Sequence, residues 1–304
     1  MRARAAAGDA GEPDGPTNDA EIHSEVCTVT IRAQAGREAG GNGGGGKREG
    51  GRFKHGNYHN YYGKRLEKRS PLDDPRLAVF DPAWFKGRTM LDVGCHEGVV
   101  ILSVAQRFGI SGALGIDIDP VLVRRAVRRL MAARNAAREE RRGHAPTHGA
   151  EATLLPPAER LDALKHVRFR AGDVLSLEGE VPRGTFGVVT CLSVTKWVHI
   201  HGGDDGLRRL LRLLAGAAEP GGHVIVEPQP WKSYRQAASH RDTKQEWMPG
   251  RLAELQLRPE DIPRLLSEEG LVEVGVLRPE GSKEGFGRPL HVLRKPGAPG
   301  AGDA

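Results

Sequence analysis

Cys191 to Gly206 reads CLSVTKWVHIHGGDDG, and two patterns meet inside it. With Val188 and Val189 just upstream, Cys191, Leu192 and Val194 make the near-continuous apolar run of a strand whose two faces are both covered by helices. Thr195, Lys196, Trp197, His199, His201, Gly203 and Asp204 then put a cation, imidazoles and a carboxylate just past the strand's carboxyl end. Open α/β sheets bind their ligands at that end. The plain alternative is a strand followed by an ordinary polar loop.

Upstream, TMLDVGCHEG (Thr89 to Gly98) is a strand that runs into a Gly-bounded turn, followed by an amphipathic helix over Val99 to Phe108. Gly94 stands where a side chain would keep backbone N–H groups away from a ligand. The spacing departs from the strict dinucleotide fingerprint, which disfavours nicotinamide. A second strand, Gly112 to Ile116, ends in Asp117-Ile118-Asp119-Pro120, and a carboxylate about twenty residues after such a turn can accept hydrogen bonds from both ribose hydroxyls of a nucleoside. Beyond Pro120, Val121, Val127, Leu130 and Met131 lie near helical spacing with arginines on the remaining face. Such a face is ordinarily solvated, and it also suits RNA phosphates.

Downstream, His166 to Arg170 reads as a third strand with Asp173-Val174 in the polar turn after it, and Cys191 lies in the fourth. Leu207, Leu210, Leu211 and Leu214 fall at i, i+3, i+4 and i+7, a helix over Asp204 to Ala217 that Pro220-Gly221-Gly222 ends. HVIVEPQPW is a fifth strand, and its Pro228, Pro230 and Trp231 make a rigid apolar wall beside the crevice. A helix over Arg258 to Gly270 and strands over Leu271 to Leu277 and Leu290 to Leu293 complete the pattern. The predicted fold is α/β and Rossmann-like, a seven-stranded, mostly parallel sheet with one antiparallel strand.

Residues 1–52 are rich in Gly and charge and are predicted to be disordered, as are an inserted loop over 143–165 and a tail over 297–304; the folded domain is 53–296. At its start RFKHGNYHNYYGKR interleaves Tyr58, Tyr61 and Tyr62 with cations, equally suited to stacking a nucleobase and holding phosphate or to covering an edge of the core. Asp73 to Arg88 is a Pro-punctuated connection with a short helix that packs on the domain. A formal charge of +6 and a pI near 9.4 favour a polyanionic partner. Cys27, Cys95 and Cys191 have no paired spacing, which argues against a disulfide framework or a zinc site and fits a reducing compartment. No apolar run is long enough to cross a membrane, and the N-terminus has neither a signal core nor a transit-peptide composition.

Several of these motifs together resemble the Bicoid-interacting-protein-3 type methyltransferases: GNYHNYYGKR (Gly56 to Arg65), LDVGCHEG, GIDID (Gly115 to Asp119), CLSVTKWVHI with GGDDGL, VEPQPWKSY (Val226 to Tyr234) and KEGFGRP (Lys283 to Pro289). The closing GFGRP resembles the branch that caps small nuclear RNA. The resemblance implies a class I S-adenosylmethionine-dependent methyltransferase that moves methyl to an oxygen of an RNA 5′ γ-phosphate, forming a methylphosphate cap on a polymerase III transcript. It implies a nuclear monomer, away from membranes, whose partners are the small nuclear RNA 5′ end and ribonucleoprotein components. Residue by residue, Tyr62, Arg76, Gly94, Cys95, Asp117, Ile118 and Leu192 match family positions that hold the cofactor. Tyr61, Arg65 and Lys196 match positions at the phosphate, and Trp231 lies in the family's active-site wall. The chain departs from the family pattern at His96, in place of Asn, at Asp173-Val174, in place of an Asn-Tyr pair, and at His201-Gly202, in place of Asn-Trp.

The chemistry agrees with that expectation. A terminal phosphate with a second pKa near ~6 is mostly dianionic at neutral pH and needs no general base to attack a sulfonium methyl. Alignment then dominates, with Lys196 and Arg65 fixing the anion. Methylation of a 5′-monophosphate, a mainly non-catalytic RNA-binding scaffold and a small-molecule methyltransferase are the competing readings, and the joint presence of Gly94, Asp117 and Lys196 favours an enzyme.

Overall fold

The computed structural model describes residues 53–66, 70–144, 154–280 and 285–297. The predicted disordered segment 1–52, residues 298–304 of the predicted tail and 145–153 of the predicted loop lie outside the described residues.

Strand order fixes where a ligand can enter. The strands are β1 (Thr89–Val93), β2 (Gly112–Asp117), β3 (Val167–Ala171), β4 (Phe186–Leu192), β5 (Ala218–Glu227), β6 (Val272–Leu277) and β7 (Leu290–Arg294), ordered β3-β2-β1-β4-β5-β7-β6. β1 pairs in parallel with both β2 and β4, so the order reverses there, and the crevice outside their carboxyl ends is where this class of sheet binds ligands. β7 is antiparallel to β5 on one side and to β6 on the other.

Side chains alternate across the sheet and build a core on each face. Met90, Val188 and Ile225 point to one face, where α3 (Val99–Phe108) and α4 (Pro120–Arg141) cover them together with Leu77, Phe80 and Phe85 from the Pro-punctuated connection. Leu91, Val189, Cys191 and Val226 point to the other and meet Leu207, Leu210 and Leu214 of α6 (Thr195–Ala217) and Leu265 and Leu266 of α9 (Ile262–Glu268). Each fully buried aliphatic side chain contributes about 1.5–3 kcal/mol, and all of β4 is buried, which is why it reads in sequence as an unbroken apolar run. The remaining helices are α1 (Tyr61–Leu66), α2 (Pro75–Val79), α5 (Pro157–Lys165), α7 (Trp231–Ser239) and α8 (Met248–Glu254).

Three expectations are corrected. Residues 157–165 of the predicted loop form α5, because a proline at the first helical position starts a helix as readily as a proline within one breaks it; Ala163 and Leu164 are buried against α3 and α4. On α4 the buried stripe is Leu122, Val123, Ala126 and Leu130, while Met131 is 48% exposed. Thr195 to Gly202 is helical, and the turn falls instead at Gly203, whose φ of 67° and ψ of −169° kink α6.

Leu164 has no solvent exposure, so Leu164→Ala is expected to lower the free energy of unfolding by about 2–5 kcal/mol, read from urea denaturation. A change below about 0.5 kcal/mol, the scale of ordinary surface substitutions, would mean that α5 is not packed on the domain.

Candidate active site

The turns after β1, β2, β3 and β4 surround a cavity of about 250 Å³, closed by His55, Gly56, Tyr61 and Tyr62 on one side and by Trp197, Val198, His201 and Gly202 of α6 on the other. Gly94 takes φ +77°, and a Cβ there would lie 2.0 Å from Val194 Cγ2, so backbone and volume both require glycine. Among the described residues, the non-glycine residues with positive φ are His96 (54°) and Ser193 (66°), and both line this cavity. Such conformations cost of order 1–3 kcal/mol each and persist where neighbouring bonds impose them.

Those bonds are specific. The His96 backbone N–H donates to Asp117 Oδ2 at 2.8 Å, and the Asp119 N–H donates to Asp117 Oδ1 at 2.9 Å. Each Asp117 oxygen keeps a lone pair for a ligand. Burial raises the Asp117 carboxyl above its ordinary range, against the two N–H bonds. His96 Nε2 lies 2.8 Å from the Tyr58 carbonyl, which can only accept, so Nε2 carries the proton and Nδ1 remains a buried acceptor without a partner among the described residues. Asp119 is already engaged by Asn57 Nδ2 at 2.7 Å and by the Val121 N–H of its own helix cap.

Beside Ser193 the site becomes ionic. Glu227, fully buried at the end of β5, faces Arg65 of α1 (3.4 Å), Arg76 of α2 (3.3 Å) and Arg288 ahead of β7 (3.4 Å). Asp74 pairs with Arg76 at 2.6 Å and lies 3.5 Å from Arg65 Nε. The Ser193 hydroxyl donates to Glu227 at 2.7 Å, receives Arg288 Nη2 at 2.7 Å and lies 3.1 Å from the Tyr61 hydroxyl. Arg65 Nη1 donates to Tyr61 and Arg76 Nη2 to Tyr62. Burial alone would raise both acids, but Arg76, with Arg65, holds Asp74 down to about 2. The surrounding guanidiniums and the Ser193 bond likewise hold Glu227 below the usual carboxylate range.

Lys196, in the first turn of α6, donates to Ser233 Oγ at 2.8 Å and sits 4.2 Å from the centre of the Trp197 ring. Burial, assisted by Arg288, pushes its ammonium down to about 7.

Of the residues expected here, Tyr61, Tyr62, Gly94, His96, Asp117, Ile118, Asp173, Val174 and Leu192 line the cavity. The other five do not. Arg65 and Arg76 lie in the ionic cluster, Lys196 beside Trp197, and the Cys95 side chain is buried in the core. Trp231 packs on Tyr234 and under Arg258, 4.2 Å from its ring centre. The sequence reading passed over Asp74, Ser193, Glu227 and Arg288 as ligands of one another, although Glu227 and Arg288 stand in the quoted EPQPW and GFGRP pieces. Only the three-dimensional meeting of distant segments reveals the cluster. His55 was also missed; its ring lies 4.5 Å from that of His201, and burial with the His201 charge pushes it down to about 4.

The profile of the family described as Bicoid-interacting protein 3 matches residues 186–295, from β4 through β7. The 7SK snRNA methylphosphate capping enzyme of Mus musculus is 32% identical over 82% of this chain and 41% of its own length. A probable RNA methyltransferase of Arabidopsis thaliana is 30% identical over 80% of this chain and 81% of its own. The U6 snRNA methylphosphate capping enzyme of Drosophila melanogaster is 31% identical over 80% and 75%. The chain thus spans about two fifths of the mouse protein.

Glu227→Gln would leave three guanidiniums around a neutral amide and is expected to cost about 3–5 kcal/mol of stability. Because the folded chain titrates Asp74 and Glu227 below their unfolded values, their contribution is complete above the unfolded carboxylate range near ~4 and falls away in acid, for Asp74 as pH drops toward about 2. Urea unfolding between pH 6 and 3 should show the gap between wild type and Asp74→Asn narrowing with acid; a constant gap would mean that Asp74 is not ionised in the fold.

Proposed function

The chain belongs to the Bicoid-interacting protein 3 family, and from that premise we propose that it transfers methyl from S-adenosylmethionine to an oxygen of an RNA 5′-terminal phosphate, with the γ-phosphate of a small nuclear RNA as acceptor. The observation that carries this reading is the meeting of a cavity of about 250 Å³, with the Asp117 carboxylate in its wall, and a cationic corner at Ser193, Arg288 and Lys196. The names of the mouse and Drosophila relatives support a phosphate of a small nuclear RNA as acceptor, and that of the Arabidopsis relative supports RNA.

The residues fit the cofactor. Asp117 has spare acceptor capacity for ribose hydroxyls, Gly94 leaves its turn open to close approach, and Ile118, Val174 and Leu192 supply apolar walls for a planar base. His96 Nδ1 adds an acceptor without a protein partner. When bound, S-adenosylmethionine supplies an electrophilic methyl on a sulfonium.

The chain's own residues then bind and align the acceptor. A dianionic phosphate carries its nucleophilic lone pairs already, so no base is required. Tyr61, Ser193 and Arg288 form one hydrogen-bonded edge of the corner, and the cluster behind them holds three guanidiniums against two carboxylates, an excess of positive charge facing the anion. Arg65 acts through that cluster, holding Tyr61 by its hydroxyl. Lys196 has no carboxylate partner among the described residues and is desolvated, so a phosphate is the counter-ion that restores its charge at neutral pH. A nuclear location and association with small ribonucleoproteins go with this acceptor.

Labelled S-adenosylmethionine with hairpins ending in 5′-triphosphate, monophosphate or hydroxyl tests the reading. Label on the triphosphate alone is expected; label on the monophosphate alone would transfer the activity to that end, and tight binding without label would leave a scaffold. Lys196→Ala is expected to lower kcat/KM by about a hundredfold or more while S-adenosylhomocysteine affinity, measured by calorimetry, stays within about twofold, below the ~0.5 kcal/mol of a surface change. Unchanged turnover would remove Lys196 from the mechanism.

A further inference from the structure

The 22-residue helix α4 carries arginine on faces that neither the core nor the cavity uses. Arg125 and Arg129 are accounted for, each 2.8 Å from a Glu97 carboxylate oxygen. Arg124, Arg128 and Arg141 are exposed and make no hydrogen bond or ion pair among the described residues. Among the described residues, Arg138 reaches only the Asn135 side chain, and Arg134 reaches only backbone carbonyls of Leu164 and Lys165. The helix's two glutamates are engaged with other partners, Glu139 with Arg142 and Glu140 with Arg160. Besides burial, repulsion from Arg168 and Arg138 lowers the Arg134 guanidinium, a mark of positive charge gathered without compensation where α4 lies beside β3.

Folding does not explain the arrangement. Like charges four residues apart, as in Arg124/Arg128 and Arg134/Arg138, destabilise a helix by a few tenths of a kcal/mol, about 0.2–0.5 per pair. The helix dipole rewards cations in the last turn, where Arg138 and Arg141 sit, but it does not reach back to Arg124 and Arg128. At about 100° and 1.5 Å per residue, Arg124, Arg128 and Arg138 fall within a sector of about 80° and span about 21 Å of helix. The helix starts next to the cavity, since Asp119 caps α4 directly after the lining residues Asp117 and Ile118, and the ridge lies farther along it.

We propose that this ridge docks the duplex stem of the RNA whose 5′ end enters the cavity, by contact with its phosphates. The proposal rests on the reading of an RNA acceptor. No aromatic side chain occurs in α4, so there is nothing on which to stack unpaired bases, whereas a line of guanidiniums matches a duplex backbone recognised by shape and charge. Docking there gives affinity independent of the terminal phosphate, and so separates RNA retention from methyl transfer.

The test uses the full chain with Arg124, Arg128 and Arg138 all changed to Gln, and a second variant with all three changed to Lys. Binding to a hairpin ending in a 5′-hydroxyl, which offers no terminal phosphate, is followed by anisotropy across a salt series. The Gln variant should bind about ten-fold or more weakly at low salt, with a slope of log K against log salt shallower by about 2.7, at ~0.9 per lost phosphate contact. The Lys variant should keep the slope, and all three proteins should share one thermal midpoint. An unchanged slope in the Gln variant, an equal loss in the Lys variant, or a loss seen only on anionic phospholipid vesicles would overturn the proposal. If wild type methylates no RNA but the hairpin result holds, the ridge stands and the proposed reaction falls.

Discussion

A carboxylate without access to water needs cations, and Glu227 collects them from three separated parts of the chain: Arg65 in α1, Arg76 in α2 and Arg288 before β7. Desolvating these charges costs several kcal/mol per ion, and their attraction offsets that cost only when every partner is in place. The cluster therefore works as a registration device. It ties the segment that closes the cavity to the end of β5, and it explains why β7, inserted between β5 and β6, brings the segment ahead of it back over the site. Ser193, with its positive φ, is held in that conformation by the same carboxylate and by Arg288.

The cluster also sets the electrostatics of the pocket. Two carboxylates cannot neutralise three guanidiniums, and Lys196 adds a cation that burial has made reluctant to stay charged. An anion entering this corner meets donors that are already oriented, so little reorganisation is needed when it binds. At the opposite end, Asp117 is oriented by two backbone N–H groups. The cavity has Asp117 and apolar side chains in one wall and Ser193 and Tyr61 in another, with the cationic cluster lying behind those two hydroxyls.

Much of this was legible in the sequence because burial writes periodicity. β4 and α3 are covered by protein, so their apolar residues appear as an unbroken run and as an amphipathic helix, and all seven strands were predicted in order with the antiparallel partner. Gly94 and Asp117 were readable because a turn and a strand end lie a fixed distance apart in a βα unit. What sequence concealed depends on meetings in space. Nothing local tells that Arg65 and Arg76 face inward to share Glu227 while Arg124 and Arg128 face solvent; both pairs are arginines near aliphatic residues. The helical start at Thr195 was hidden because glycines 202, 203 and 206 imitate a loop, although only Gly203 leaves helical geometry. α5 was hidden by Pro156-Pro157, whose effect depends on whether proline comes first in a helix or inside one.

On the proposed reading, the two arginine populations divide the labour of recognition. Arginines locked into Glu227 and Asp74 cannot adapt to a ligand, because moving one strands a buried carboxylate; they impose geometry on Tyr61, Tyr62 and Ser193 and so act on the anion through oriented hydroxyls. Arg124, Arg128 and Arg141 on α4 have the opposite property, exposed and without an ion-pair partner among the described residues. A rigid site can discriminate one terminal group from another, whereas an exposed ridge can only add affinity for a charged backbone. On the proposed reading, discrimination at the 5′ end belongs to the cluster, and retention of the rest of the RNA belongs to surfaces such as α4 that the cluster does not constrain.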